Sequence, residues 1–295
     1  MNHVPNSLDP VVIASPSTRQ SLTGPVPTSG PVGVAGVRGG GTLRGDGYAR
    51  LPGASLGVDA KWAAGELTQF AQAYEGLPRD PYAPHANRYR RYSHAVYLPW
   101  KDELSFIPGV PDAEYGSTSA YWQDEHNREF PRIRRRLPDL PTALHSNQLL
   151  NAIIRADLAE ALWLPQLHTA PVYIGIHMVR LAVRDQAQVA MSSPNCLHQD
   201  GGSPALCTFA HLIGRRNIHG GENIIATADS AGRQPGELSP SAIHARFVLS
   251  EPLDGYGVHD QRVAHYVAPV RLADAADTGH RDILLLGIAP FIPGM

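Results

Sequence analysis

His198 and Asp200 flank Gln199 in a segment bounded by Pro194 and the Gly201-Gly202 pair. On extended backbone, side chains two positions apart leave the same side, so this edge can offer one imidazole and one carboxylate to a single ion. The adjacent glycines let ligand-bearing backbone approach a metal without Cβ crowding. Two imidazoles and one carboxylate on one face of a metal leave other coordination positions open. That arrangement suits non-haem Fe(II) that must also bind a co-substrate and O2. The triplet by itself is a weak signal. In a chain with 14 histidines it arises by chance, and a surface histidine beside a solvated aspartate reads the same way.

The second imidazole has to come from elsewhere, and downstream stand His211, His219, His244, His259, His265 and His280. Around His265 the segment Asp260 to Val270 alternates apolar and polar residues. His259 lies in a Gly-Tyr-Gly turn and His280 follows Thr278-Gly279, so both are expected in loops. His211 alternates with apolar positions and is expected to be a packed histidine satisfied by a neighbour. Arg281 opens the apolar run Asp282-Ile283-Leu284-Leu285-Leu286. A charge there is costly unless paired. Its partner is either an acid such as Asp282 or the carboxylate of a ligand, and the planar guanidinium suits the second role better than a lysine would.

The elements that must carry these residues are mainly strands. Residues 1 to about 40 are rich in Pro, Gly, Ser and Thr and lack apolar periodicity, which predicts a disordered tail. Residues 41–295 then read as a single domain. Lys61 to Tyr74 has helical spacing, with Trp62, Leu67, Phe70, Ala71 and Tyr74 on one stripe. Tyr89 to Tyr97 alternates like a strand, and Tyr121 to Arg136 reads as helix or loop. Ser146 to Leu162 is a second helix, with Ser146 as its expected N-cap. After Pro165 the pattern is β: Val172–Val183, Ala205–Ile213, Asn223–Ala228, Ala245–Leu249, Val263–Val270 and Asp282–Ile288, with Gly220-Gly221 as a turn. Short strands after N-terminal helices predict an α+β, mainly β chain: a double-sheet β-roll flanked by helices.

Composition narrows the function classes. A formal charge of −2 gives no field for nucleic acid or an anionic membrane, and Arg134-Arg135-Arg136 is the only basic run. Hydrophobic content of 43% supports a core. Cys196 and Cys207 make no disulfide framework and are expected to be reduced, buried thiols. There is no signal-peptide pattern and no run of about 18 apolar residues, so the expectation is a soluble, cytoplasmic protein acting on a small molecule.

Taken together, these motifs resemble the bacterial 2-oxoglutarate/Fe(II) dioxygenase family that includes L-isoleucine hydroxylases. The resemblance is carried by Pro194…His198-Gln199-Asp200-Gly201, Ile213-Gly214-Arg215-Arg216-Asn217-Ile218-His219-Gly220-Gly221-Glu222 and Phe247-Val248-Leu249-Ser250-Glu251-Pro252-Leu253-Asp254. Asp260-Gln261-Arg262-Val263-Ala264-His265 with Pro269-Val270, and Arg281-Asp282-Ile283-Leu284, continue it. Arg91-Tyr92-Ser93 and the Gln123…Asn127 pair are similar upstream, so the likeness runs from about 40 to 290. It implies a double-stranded β-helix of jelly-roll, cupin-like form. It also implies His198, Asp200 and His265 as iron ligands, Arg281 on the distal carboxylate of 2-oxoglutarate, and O2 as second co-substrate. Gly202-Ser203-Pro204 departs from the bulkier residues of relatives and is expected to reshape the substrate side of the iron.

The expected reaction is oxidation, first of all hydroxylation, of an aliphatic C–H in an amino acid or an amino-acid-derived natural-product intermediate such as a cyclodipeptide. Desaturation, cyclisation or epoxidation would use the same centre. Arg91, Tyr121, Trp122, Gln123, Asn127 and Arg180 are the candidate substrate contacts. Two other readings use the same residues. A zinc hydrolase would need a glutamate base, for which Glu222 is the nearest acidic candidate. A non-catalytic β-roll would bind a small molecule and leave the ligand set unexplained.

Overall fold

The computed structural model describes residues 41–122, 133–200, 206–275 and 277–292. The expected tail lies outside them, as do Gln123, Asn127 and Gly202-Ser203-Pro204. Three α-helices are present among the described residues: a short α1 (Leu43–Asp46), α2 (Ala60–Glu75) and α3 (Gln148–Ala161). Asp59 caps α2 through Trp62 N–H at 2.8 Å. The cap of α3 is Asn147, whose carboxamide oxygen accepts Leu150 N–H at 2.9 Å. Ser146 instead closes the preceding turn by donating to Ala143 O, so the expected cap is displaced by one residue.

The large sheet has seven antiparallel strands in spatial order β1 (Tyr48–Leu51), β12 (Gly255–His259), β8 (Cys207–Arg216), β15 (Gly279–Pro290), β7 (Val172–Val183), β2 (Arg88–Leu98) and β3 (Glu103–Ile107). Smaller sheets join β11 (Ile243–Val248), β10 (Glu222–Thr227) and β13 (Val263–Val267), and join β14 (Val270–Leu272) to β9 (Ile218–Gly220). A further one holds β4 (Val110–Asp112), β5 (Gly116–Tyr121) and β6 (Arg135–Pro138). The architecture is the expected mainly β double-sheet roll. His259 and His280 are strand residues here, in β12 and β15, rather than loop residues. Both termini of these runs are held by main-chain pairing to β8, which a reading of local turn residues does not see.

Alternation along the strands divides the side chains of the large sheet between two environments. On β7 and β15, Val172, Ile174, Ile176, Met178, Leu284, Leu286 and Ile288 join α2 and α3 in one core. The opposite parity, Tyr173, Gly175, His177, Val179, Arg281, Ile283 and Leu285, faces a cavity between the sheets. A second core of Ala210, Leu212, Tyr256, Val258 and Ile283 against Ile225 and Val263 bonds the large sheet to β10 and β13. Cys207 is buried and Cys196 half-buried, and neither forms a disulfide. No helix among the described residues is long and apolar enough to cross a membrane.

Candidate metal and co-substrate site

The backbone brings His198 and His265 face to face. His198 N donates to His265 O at 2.9 Å and His265 N to His198 O at 2.8 Å, an isolated antiparallel bridge at the middle of β13. The ring centroids are 4.3 Å apart. Asp200, two residues on, leaves the same side as His198: its Oδ1 lies 3.8 Å from His198 Nε2 and its Oδ2 3.2 Å from His265 Nε2. The three side chains thus present ligand atoms within 4.8 Å of one another. His198 Nδ1–H donates to Cys196 O at 2.8 Å, which leaves the Nε2 lone pair toward the carboxylate.

The electrostatics favour a cation at this point. Burial opposes the charge of Asp200, but the hydrogen bond from His265 and the charges of His265 and His198 outweigh it and hold the carboxyl below the usual range. Behind it lies Asp260, fully buried on the turn after β12. Its Oδ1 accepts Asp200 N–H at 3.2 Å and its Oδ2 accepts the Thr208 hydroxyl at 2.8 Å. Desolvation, then the charge of Asp200, pushes the Asp260 pKa up to about 7.

Arg281 enters the same cavity and is 4% exposed. Its Nη2 donates to Asn223 Oδ1 at 3.3 Å and its Nε has no protein partner. Desolvation lowers its pKa to about 10. Asp282 does not pair with it. That residue has the opposite parity on β15 and takes Arg180 through two bonds, of 2.7 and 2.8 Å, beneath the helices. The turn beside Arg281 has little room. Gly220 and Gly221 have φ of 85° and 72°, and a Cβ on Gly220 would stand 2.1 Å from Pro269 O.

Of the other sequence candidates, Tyr121 and Trp122 line the cavity, while Arg91 and Arg180 do not. Arg91 donates to Asp139 O at 2.6 Å, and Arg180 spans Asp282 and Glu75. Both miss by one residue of strand parity, which moves a side chain to the other face. On β2 the inward residues are Arg88, Arg90 and Tyr92; on β7 they are Tyr173, Gly175 and His177. Sequence reading missed these and Tyr256. The signal was present on β7, where the even positions Val172, Ile174, Ile176 and Met178 are apolar and mark the helix side. His211 behaves as expected, its Nε2 3.0 Å from both Asp157 oxygens. Glu222 pairs with Arg246 at 3.0 Å, and no glutamate is among the described residues lining the cavity.

A family model described as 2OG-Fe dioxygenase matches residues 71–287 of the chain. No curated protein sequence matches it. Among solved structures it is similar to IDO from Bacillus thuringiensis at 21% identity and TM-score 0.65, covering 85% of this chain and 96% of that one. It is similar to a bsmA homolog from Methylobium petroleophilum at 22% identity and TM-score 0.66, covering 84% and 90%. The Fe(II)/α-ketoglutarate-dependent dioxygenase TqaL follows at 14% identity and TM-score 0.61, covering 85% of each chain. At such identities the likeness shows the common fold.

Proposed function

The chain belongs to the 2OG-Fe dioxygenase family, and from that premise we propose that it oxidises, by hydroxylation in the simplest case, an aliphatic C–H bond of an amino acid or of an amino-acid-derived natural-product intermediate such as a cyclodipeptide. It is an oxidoreductase of a family that uses Fe(II), 2-oxoglutarate and O2 on small-molecule substrates. In this reading His198 Nε2, Asp200 and His265 Nε2 hold the iron and Arg281 receives the distal carboxylate of 2-oxoglutarate. When bound, the iron would let O2 act as the oxidant with 2-oxoglutarate as co-reductant, one oxygen atom passing to succinate, released with CO2, and the other to the substrate C–H.

What supports the reading most is that two imidazoles and a carboxylate converge within 4.8 Å in a cavity that a buried arginine also enters. Three ligands from one side leave the remaining positions of a metal facing the cavity. The chain's own part is positional. Asp260 braces Asp200 through its backbone N–H, Cys196 O fixes the His198 tautomer, and Ile283 and Leu285 continue the wall from Arg281. A buried guanidinium with one neutral partner gains a charge-assisted pair when a carboxylate arrives. Among the described residues a zinc hydrolase finds no glutamate base at the cavity, since Glu222 is engaged elsewhere. Succinate release from 2-oxoglutarate under O2 with Fe(II), stimulated by a member of an amino-acid and cyclodipeptide panel and absent with Zn(II), is the expected result. Zn(II)-supported hydrolysis without succinate would overturn the reading.

A further inference from the structure

Arg90 is a second buried guanidinium on the cavity wall, 6% exposed. Its neighbour Arg88 takes Asp80 Oδ2 through Nε at 2.9 Å and Nη2 at 2.6 Å, which leaves Arg90 Nη1 3.9 Å from that oxygen. That separation is beyond hydrogen-bond range. Arg90 Nη2 donates to His177 Nδ1 at 2.7 Å, and its Nε has no partner. A guanidinium with five donors therefore meets one close acceptor, and that acceptor is a neutral ring. Burial, then the Arg90 charge, pushes the His177 pKa well below the ordinary histidine value. With Nδ1 accepting from Arg90, the ring proton sits on Nε2, in a residue that lines the cavity.

The surroundings hold this pair of donors still. Tyr92 stacks on His177 with centroids 4.4 Å apart, Tyr121 meets it edge-on at 4.6 Å, and Arg90 lies 4.9 Å from the Tyr121 ring centroid. Asp200 is the one carboxylate among the described residues lining the cavity, and its charge is felt at both His177 and Tyr121. The donor wall thus stands near the candidate metal site. Arg281 is apart from it: β7 lies between the strands that carry the two arginines, and Arg90 is level with Ile283, two residues along from Arg281, so their backbones are about 12 Å apart. We propose that Arg90 and His177 form an anion subsite that receives a carboxylate of the organic substrate, so that the protein selects molecules with a free carboxylate over carboxamides and cyclic dipeptides.

This rests on the dioxygenase reading for what happens to the bound molecule, but its test needs no turnover. Protein saturated with Mn(II) and 2-oxoglutarate is titrated by calorimetry with isovalerate, L-leucine and L-isoleucine, each beside its carboxamide, and with cyclo(Leu-Leu). At least one carboxylate should bind at least about tenfold tighter than its carboxamide, the scale of a lost charge-assisted pair. Arg90→Met should bring that carboxylate to the level of the carboxamide while 2-oxoglutarate affinity stays within about twofold. Arg90→Lys should recover part of the preference, and His177→Phe should weaken it. Carboxamide or cyclodipeptide binding as tight as the carboxylate in the unaltered protein overturns the proposal, as does no carboxylate binding at all. Loss of 2-oxoglutarate affinity in Arg90→Met overturns it too, since Arg90 would then serve the co-substrate. If Arg90→Met fails to fold, the unaltered protein and Arg90→Lys still decide. Failure of the dioxygenase reading shows separately, as absence of succinate with Fe(II).

Discussion

Two histidine–aspartate pairs, one buried and one half-buried, stand on opposite sides of the large sheet. Beneath α3, His211 Nε2 lies 3.0 Å from both oxygens of Asp157, and each side chain is 1% exposed. On the cavity side, His265 Nε2 lies 3.2 Å from Asp200 Oδ2, whose side chain is 23% exposed. The chemistry is the same and the surroundings differ. Asp157 spends both oxygens on one imidazole, and the pair closes on itself as a brace between helix and strand. Asp200 divides its oxygens between two imidazoles and keeps an open side. The third donor and the cavity turn an ion pair into a candidate metal site. Neither is visible in the histidine or the aspartate alone.

The largest expected effects set these pairs apart. Replacing His198, Asp200 or His265 by alanine should abolish turnover and lower Fe(II) affinity by more than about a hundredfold, because even outer-shell partners of a metal ligand are worth 10–100-fold. The melting temperature of the metal-free protein should change little by comparison. Asp157→Ala should do the reverse: it strands a buried histidine and costs about 3–5 kcal/mol of stability, read as a lower unfolding midpoint, with Fe(II) affinity of the folded fraction unchanged. Iron loss in Asp157→Ala, or its absence in His265→Ala, would exchange the roles assigned to the pairs. His259→Ala is the control and should keep most activity.

How much of this contrast the sequence carried can be read residue by residue. The metal candidates were singled out by the His198-x-Asp200 spacing and by the family resemblance, Arg281 because a charge opening an apolar strand is costly, and the strands themselves because alternation is a local property. Arg91 and Arg180 were misplaced because facing depends on register against neighbouring strands: Arg91 stands opposite Met178 in the β2–β7 ladder, a helix-side position. On β15 both parities are apolar after Arg281, so nothing local says which faces in. Asp157 and Asp260 were missed because each matters only through a contact across 54 and 60 residues respectively.

Arg281 and Arg180 repeat the comparison at smaller scale, as a buried and a half-buried arginine of which the second already has its carboxylate. Arg281→Ala should weaken 2-oxoglutarate binding by about thirtyfold to a few thousandfold, which is about 2–5 kcal/mol for truncating one side of a charge-assisted pair, with Fe(II) binding near that of the unaltered protein. Lysine should restore part, since it keeps the charge and loses the fork. Arg180→Ala should instead leave 2-oxoglutarate affinity alone and lower stability by about 1–3 kcal/mol, because it strands the buried Asp282 acceptors. Titration of 2-oxoglutarate into both variants, beside their melting curves, reads the difference. An unchanged affinity in Arg281→Ala sinks the clamp.

The smallest effect is a slope with pH, and it belongs to the brace. Burial lowers the affinity of His211 for a proton, but the Asp157 charge and hydrogen bond outweigh it, so the folded pKa lies above the ordinary histidine value. Burial raises the pKa of Asp157 against the opposing pull of His211. Both shifts mean that the folded state holds protons that the unfolded chain releases. Stability from His211 is therefore full below the unfolded value of about 6.5 and is lost as pH rises through the folded pKa, with a slope of at most about 1.4 kcal/mol per pH unit for one proton. His211→Gln removes this titration. Between pH 6 and pH 9 the unaltered, metal-free protein should lose more stability than His211→Gln, measured by urea unfolding at each pH. Equal losses in the two proteins would show that the pair does not carry its extra proton in the fold, and that it resembles the cavity pair less closely than its geometry suggests.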